Sequence, residues 1–249
     1  MRRSLPPAIP RALALALLIF MLTPEAHAAF HVAHIDEVMA SYDGNDMVQF
    51  VDIEMEFGGQ TATTNAVLAI FDAAGNYVKD MIVFPSNVPV GGAGVHFIIG
   101  TAAFENVSGL TVDFTAAQAD LPTDGGMVCF GGGGGIFPQN PPNWDRTLLS
   151  NYVDCLAYGS YSGPTAINSG NPTPLLPVGH SLARVSLTND NETDFDCGDP
   201  ATPENNAGTI VNLDATVVFC PEPSTALAQL AAIGSLFWLG RRRARSASN

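Results

Sequence analysis

The stretch QFVDIEMEF, residues 49–57, alternates apolar and acidic side chains. Successive side chains point to opposite faces of a β-strand, so the pattern predicts a strand with one apolar face and one acidic face. The acidic face carries Asp52, Glu54 and Glu56. We interpret it as a solvated outer face, because alternation alone requires polar residues there. Two alternatives stay open: these carboxylates could hold a hard cation or take part in acid–base chemistry.

Similar short patterns recur on both sides of this stretch. The run TIVNLDATVVF (209–219) alternates in the same way and predicts a strand over 210–219. Shorter β-like runs occupy 66–71, 77–84, 95–100, 110–114, 127–130 and 152–159. Gly, Pro, Asn and Asp separate nearly all of them, as turns require. We find no convincing helical period between these runs, so the sequence predicts an all-β sandwich or barrel.

Residues 1–28 have the layout of a secretory signal peptide. A basic start with Arg2 and Arg3 precedes an apolar run over 12–22, and small residues up to Ala28 provide a cleavage site. The apolar run is shorter than the roughly 20 residues that a spanning helix needs. We therefore expect export through the inner membrane, with cleavage after Ala28.

Residues 221–245 form a second terminal segment with three parts. A Pro-Glu-Pro-Ser start is followed by an apolar run over 224–240, whose 17 residues reach the lower limit for a transmembrane helix. Arginines follow at once, and clustered arginine resists translocation, so we expect the preceding domain outside and the arginines in the cytoplasm. The residues concerned are Pro221, Glu222, Pro223, Ser224, Arg241, Arg242 and Arg243. A permanent C-terminal anchor is the plain alternative.

The order of these three parts resembles the PEP-CTERM sorting tail of Gram-negative bacteria. The resemblance implies that a membrane protease of the exosortase type recognises the tail. It also implies that the protein is held in the membrane before processing and is then released or transferred to the cell surface. Cys220 departs from the small or aliphatic residue that is usual before the motif.

The region between the two ends, residues 29–220, is strongly acidic. It contains three Lys and Arg against 22 Asp and Glu, a formal charge of −19. Such a field repels nucleic acid and anionic membrane surfaces. Cations and cationic surfaces remain open as partners, although we favour the simpler interpretation that the charge keeps an exported protein soluble.

Four segments of this region follow one another in the order found in lamin-tail-like domains. They are Ile35 to Val38, Val51 to Met55, Gly179 to Arg184, and Asp194-Phe195 followed by 200–208. The order resembles that family over most of 30–208. It implies an immunoglobulin-like β-sandwich, which we assign to 29–220, acting as a surface or accessory interaction module. Two Gly- and Pro-rich loops, 131–146 and 160–179, and the extra strand 210–219 depart from the family pattern.

All four cysteines lie in the acidic region, and an exported protein meets an oxidising compartment. Four cysteines allow three pairings. The runs that carry Cys129 and Cys155 are consecutive, and consecutive strands usually pair as neighbours, so we expect a disulfide between them. Cys197 would then bond to Cys220. Reduced buried cysteines or a zinc site are the alternatives, but no Cys-x₂₋₄-Cys spacing favours zinc.

The loop 190–196 is the best calcium candidate in the sequence, because it is rich in oxygen ligands. Its candidate ligands are Asp190, Glu192, Asp194 and Asp196. The loop lacks the glycine that an EF-hand places at its sixth position. We therefore assign no metal site and no cofactor, and keep these four carboxylates only as candidates.

Two further features have structural interpretations. His31 and His34 lie three apart at the start of a strand, which places them on opposite faces, so we expect a surface or edge role rather than zinc binding. Residues 179–183 mimic the Gly-x-Ser-x-Gly elbow of hydrolases. That elbow requires a following helix and a later histidine, and the sequence has no histidine after His180.

These observations predict a non-enzymatic protein of the cell surface or extracellular matrix, sorted and processed through its tail. Its expected partners are the exosortase-type protease and, at the surface, extracellular polysaccharide or other surface components. No nucleic-acid partner is expected. A calcium- or glycan-binding adhesion protein is one alternative, and a hydrolase that uses acidic residues is another.

Overall fold

The structure is a computed structural model, and it describes residues 32–132, 145–166 and 168–214. The predicted signal peptide, the sorting tail with its helix over 224–240, and Cys220 lie outside the described residues. So does most of the glycine-rich loop 131–146. Within the described part, no helix is long and apolar enough to cross a membrane.

Ten strands account for most of the regular structure in the described residues. They are β1 (Ala33–Met39), β2 (Phe50–Met55), β3 (Val67–Phe71), β4 (Tyr77–Val83), β5 (Val95–Thr101), β6 (Phe114–Ala116), β7 (Gly125–Gly131), β8 (Tyr152–Gly159), β9 (Ser181–Arg184) and β10 (Phe195–Gly198). Two short α-helices, α1 (Ala102–Ser108) and α2 (Asn191–Asp194), and a 3₁₀ turn at Leu149–Asn151 complete the set. The expected all-β class is confirmed.

The strands form two sheets. One has six strands in the order β10-β9-β1-β2-β5-β6, and the other has four in the order β4-β3-β7-β8. All neighbours pair antiparallel except β5 and β6, which run parallel. The largest core cluster draws buried side chains from both sheets, including Ile53 and Phe97 from one and Leu68 and Phe130 from the other. Val51, Ile53 and Met55 of the opening stretch therefore face a sandwich core, as predicted, whereas Phe57, beyond the end of β2, is 62% exposed.

The predicted disulfide is present between Cys129 and Cys155. These residues lie directly opposite each other on β7 and β8, which pair as antiparallel neighbours. Cys197 is disulfide-bonded as well, but its predicted partner Cys220 lies outside the described residues, so that pairing stays a prediction.

Three expectations for secondary structure need correction. The strand predicted over 110–114 begins only at Phe114, where β6 starts. The strand predicted over 210–219 is not seen over 210–214, which makes only isolated bridges to Ala201 and Glu204. Helix α1 was not expected at all. The Thr101 side chain caps this helix by accepting a hydrogen bond from the Phe104 amide, and Gly109 ends the helix in a left-handed conformation.

A buried ion pair joins the two sheets. The guanidinium of Arg184 on β9 lies 2.6 Å from Asp154 Oδ2 on β8 and 3.4 Å from Asp194 Oδ2. Its Nε donates to the Ile35 carbonyl at 2.8 Å, and Asp154 Oδ2 accepts the Ile35 amide at 2.8 Å. The guanidinium also lies 4.4 Å from the centroid of the Phe195 ring. This network fixes β1 and β9 of one sheet against β8 of the other.

Candidate functional site

Three neighbouring strands of the six-stranded sheet place a row of ionisable side chains on the face turned away from the other sheet. His34 on β1 pairs with Glu54 on β2, and Glu54 pairs with His96 on β5. Residues directly opposite on neighbouring strands are close enough for their side chains to interact. The row therefore collects two imidazoles and a carboxylate from segments far apart in sequence.

A β-bulge adds a second carboxylate to this row. The register of β1 against β2 shifts between Ile35 and Glu37, which leaves Asp36 as the extra residue. An extra residue of this kind redirects side chains, and bulges are common next to functional sites. Asp36 Oδ1 lies 3.9 Å from His34 Nε2, and Asp36 Oδ2 lies 4.0 Å from His96 Nδ1. One carboxylate thus faces both histidines.

Both ring nitrogens of His34 face carboxylates. Nε2 lies 3.3 Å from Glu54 Oε2, and Nδ1 lies 3.2 Å from Glu56 Oε1. The side chain is only 8% exposed. The expectation that His34 has a surface or edge role is therefore wrong, because this histidine sits inside a cluster of acids.

This cluster forms one wall of an open cleft of about 460 Å³. His34, Asp36, Glu54 and Glu56 line it on one side, and residues 184–187 line it on another. Val185 and Leu187 are 64% and 60% exposed there. The cleft thus combines a polar, acidic wall with an apolar edge that is open to solvent.

His96 makes a closer pair with Asp52 at the other end of the row. Its Nδ1 lies 3.2 Å from Asp52 Oδ1. Burial on its own lowers the pKa of His96, but the hydrogen bond and charge of Asp52 outweigh it and raise the pKa to about 9. Burial raises the pKa of Asp52 to about 6 against the opposing effect of His96. Both values leave a charged pair at neutral pH.

The acidic face is not solvated as predicted. Asp52 is 1% exposed, whereas Glu54 and Glu56 are half-buried. The chain segment 200–206 covers the buried end, and three carboxylates accept hydrogen bonds from every second amide of that segment. Glu37, Asp52 and Asp113 accept from the amides of Thr202, Glu204 and Asn206, respectively. We call this set of contacts the carboxylate row, which is distinct from the row of His34, Glu54 and His96.

The calcium candidates of 190–196, which form α2 and the start of β10 rather than the predicted loop, do not form a cluster of this kind. Asp194 accepts from Ser186 and Thr188 and also faces Arg184, while Asp190 Oδ1 accepts the Asn171 amide at 2.7 Å. In the described part of the chain, ligand-type groups come together in two places, His34–Asp36–Glu54 and Asp36–Asp52–His96. Both share Asp36, and neither includes a residue of the loop.

The elbow-like residues 179–183 have a structural role, as interpreted. Ser181 lies on β9 and is completely buried. Its hydroxyl donates to Glu37 and lies 3.0 Å from the Gly198 carbonyl. A hydroxyl held in this way supports the sheet rather than facing a substrate.

The chain was compared with family models, curated proteins and solved structures. None of the three comparisons found a match. The site therefore has to be interpreted from its own geometry.

The charged pair of His96 predicts a pH dependence of stability. Asp52, Asp36, Glu54 and Glu204 surround this imidazole. A folded-state pKa raised from 6.5 to about 9 contributes stability that is complete below pH 6.5 and is lost as the pH rises through 9. In EDTA we expect the melting temperature to fall by a few degrees between pH 7 and pH 9.5, at roughly 2–4 °C per kcal/mol.

Calorimetric melts of the parent and of the double variant Asp52→Asn/His96→Gln test this expectation. The double variant should melt at a temperature that is nearly constant across this window, because it has no imidazolium to lose and no buried Asp52 carboxylate whose pKa would rise without His96. This pH window lies above the pKa of Asp52, which is about 6. It lies at or above the pKa of Glu37, which burial raises to about 7. Equal slopes for the two proteins would show that His96 does not carry the effect.

Proposed function

We propose that this protein is an exported, non-enzymatic surface module, sorted through a PEP-CTERM-type tail by an exosortase-type protease. The observation that carries the proposal is the pairing of a signal-like start with the ordered Pro-Glu-Pro-Ser, apolar and arginine parts at the other end. The buried disulfide Cys129–Cys155 supports export, because disulfides persist in oxidising compartments. The −19 charge of 29–220 supports a partner other than nucleic acid.

The two-sheet fold supports the proposed interaction role. A lamin-tail-like, immunoglobulin-like sandwich over 29–220 would be a rigid carrier that presents surface features to other extracellular components. The open cleft beside β1 and β9 is a concave feature of its acidic face. We propose extracellular polysaccharide or other surface components as its partners.

Intact mass spectrometry of the protein from its native host tests the sorting proposal. We expect a mature species that begins at Ala29 and ends at or near Pro221 to Ser224, because both terminal segments are removed. A dominant species that retains 241–249 would contradict processing and leave a permanent membrane anchor as the explanation.

An adhesion protein that binds a cation or a glycan is the second candidate function. The observation that favours it is the cleft, which His34, Asp36, Glu54 and Glu56 line beside exposed apolar side chains. Screening the protein on a polysaccharide array, with and without divalent cations, distinguishes this function from that of an inert matrix component. A hydrolase would instead require turnover that disappears in Glu54→Gln.

A further inference from the structure

We propose that the cleft binds a divalent transition-metal ion of the zinc class, held by His34 Nε2 and by the carboxylates of Asp36 and Glu54. These three side chains come from β1, from its bulge and from β2. The proposal goes beyond the surface role proposed above and does not depend on the sorting tail.

The spacing of the three groups fits a tetrahedral ion. With bonds of about 2.0–2.1 Å, two ligand atoms on a tetrahedral zinc lie about 3.3–3.4 Å apart. His34 Nε2 lies 3.3 Å from Glu54 Oε2 and 3.9 Å from Asp36 Oδ1. All the ligand atoms of this group lie within 4.8 Å of one another. Side-chain rotations would have to shorten the Asp36–His34 separation by about 0.5 Å, and the longest separation in the group by at most about 1.4 Å, to reach the ideal geometry.

The same distances are long for direct ion pairs. A charge-assisted N–H···O contact is about 2.7–2.9 Å long. Neither contact of His34 Nε2, at 3.3 Å to Glu54 and 3.9 Å to Asp36, is that short. An ion between them satisfies the imidazole lone pair and the facing oxygens together.

Glu56 has the position of an outer-shell partner. A metal-bound histidine commonly donates its other ring N–H to a carboxylate, which fixes the tautomer and the ring orientation. With Nε2 facing Glu54 and Asp36, the remaining nitrogen Nδ1 faces Glu56 Oε1 at 3.2 Å. The site therefore contains three inner ligands and the acceptor that orients the histidine.

The charge of the cleft also favours a cation. Asp36, Glu54 and Glu56 all face the imidazole of His34, and Asp36 also faces that of His96. Arg184 lines the same cleft, but its guanidinium is paired with Asp154 and Asp194. A divalent ion would offset the carboxylate charge that this arginine does not balance.

The donor set indicates the class of ion. Imidazole suits zinc and other transition ions, whereas calcium takes six to eight oxygen ligands. Three protein ligands beside an open cleft leave a fourth position for water or a partner group. We therefore expect zinc to bind more tightly than calcium.

The second group, Asp36–Asp52–His96, is a poorer candidate for binding an ion. Asp52 is 1% exposed, and both of its oxygens already have partners, His96 Nδ1 and the Glu204 amide. Its pairing with His96 explains this end of the row without an ion. We assign the ion to the end that opens into the cleft.

Zinc titration of the EDTA-stripped full-length chain, by calorimetry and by melting temperature, tests the proposal. We expect about one equivalent to bind, with a micromolar or tighter dissociation constant and a raised melting temperature. His34→Gln and Glu54→Gln should each weaken binding by at least tenfold. Glu56→Gln should weaken zinc binding by about 10- to 100-fold, as outer-shell changes do. Glu192→Gln removes an exposed acid elsewhere and should change nothing.

A measurement on the parent protein keeps the test independent of variant folding. In ¹⁵N-labelled protein, zinc should shift the Nε2 resonance of His34 while Nδ1 stays protonated. Any of four results overturns the proposal: no stoichiometric binding; unchanged binding in a folded His34→Gln; binding lost in His96→Gln but kept in His34→Gln; or calcium binding more tightly than zinc.

Discussion

Replacing Arg184 with methionine is expected to lower the free energy of unfolding by about 3–5 kcal/mol, because removing one partner of a buried ion pair leaves an uncompensated charge. Arg184 and Asp154 are each only 5% exposed, and Asp194 is fully buried. Methionine fills part of the space of the arginine stem but donates to neither carboxylate nor to the Ile35 carbonyl. Urea denaturation monitored by far-UV circular dichroism measures the change in the free energy of unfolding.

Lys79→Met is the matched control for this experiment. Lys79 also pairs with a carboxylate, Asp120 at 2.7 Å, but its side chain is 39% exposed. Exposed pairs contribute about 0–1 kcal/mol, so this variant should unfold almost as the parent does. The double variant Arg184→Met/Asp154→Asn should recover part of the loss, because it removes one of the two carboxylate charges that the arginine paired. A loss of under 1 kcal/mol in Arg184→Met would show that the network does not hold the sheets together.

Removing the disulfide with Cys129→Ala/Cys155→Ala is expected to cost at least about 3 kcal/mol. The cross-link closes a loop with a sequence separation of 26, and such a loop restricts the unfolded chain by about that amount. Both positions are fully buried in the four-stranded sheet, so the loss of the sulfur atoms adds a packing term. Equilibrium unfolding of the variant and the parent gives the difference.

The parent protein with reduced cysteines separates the two contributions. It keeps both sulfur atoms but lacks the cross-link, so its loss relative to the oxidised parent measures the effect of loop closure alone. Unfolding and refolding in reductant is needed to prepare it, because the disulfide is buried. Equal stability of the oxidised and reduced forms would contradict the chain-entropy argument for this bond.

The alternation of residues 49–57 was enough to predict β2 and its core face, because one apolar side chain in two faces the other sheet. The same reasoning misassigned Asp52. Alternation indicates that a side chain points away from the core, but it does not indicate whether another segment covers it. Here the segment 200–206, which has no regular pattern, lies on that face through the carboxylate row.

The cluster around His34 could be predicted only in part. The acidic members on β2 were identified, but the contribution of Asp36 depends on a bulge that no turn residue or glycine marks in the sequence. The pairing of His34 and His96 with Glu54 depends on strand register, which short sequence patterns do not specify. Helix α1 is a different case, since Thr101 and Gly109 are recognisable capping signals around a helix too short to show a period.

The disulfide was predictable for a simpler reason. Cys129 and Cys155 lie on strands that are consecutive in this region of the chain, and consecutive strands pair as neighbours in this sheet. Only the register had to place the two residues opposite each other. No comparable argument from the sequence reaches the ion pair of Arg184, whose partners come from three separate segments.

The carboxylate row has a mechanical consequence. It fastens the last described segment of the chain to the sheet, and from Asp214 only ten residues lead to Ser224, a span of at most about 36 Å when fully extended. A tail held in a bilayer, as we propose, would hold the sandwich within that distance of the membrane. Tension on the tail would reach the sheet through the Asp214 carbonyl, which accepts a hydrogen bond from Tyr42, and through 200–206 with its three carboxylate–amide contacts. Until the tail is cut, the domain would sit close to the membrane that anchors it.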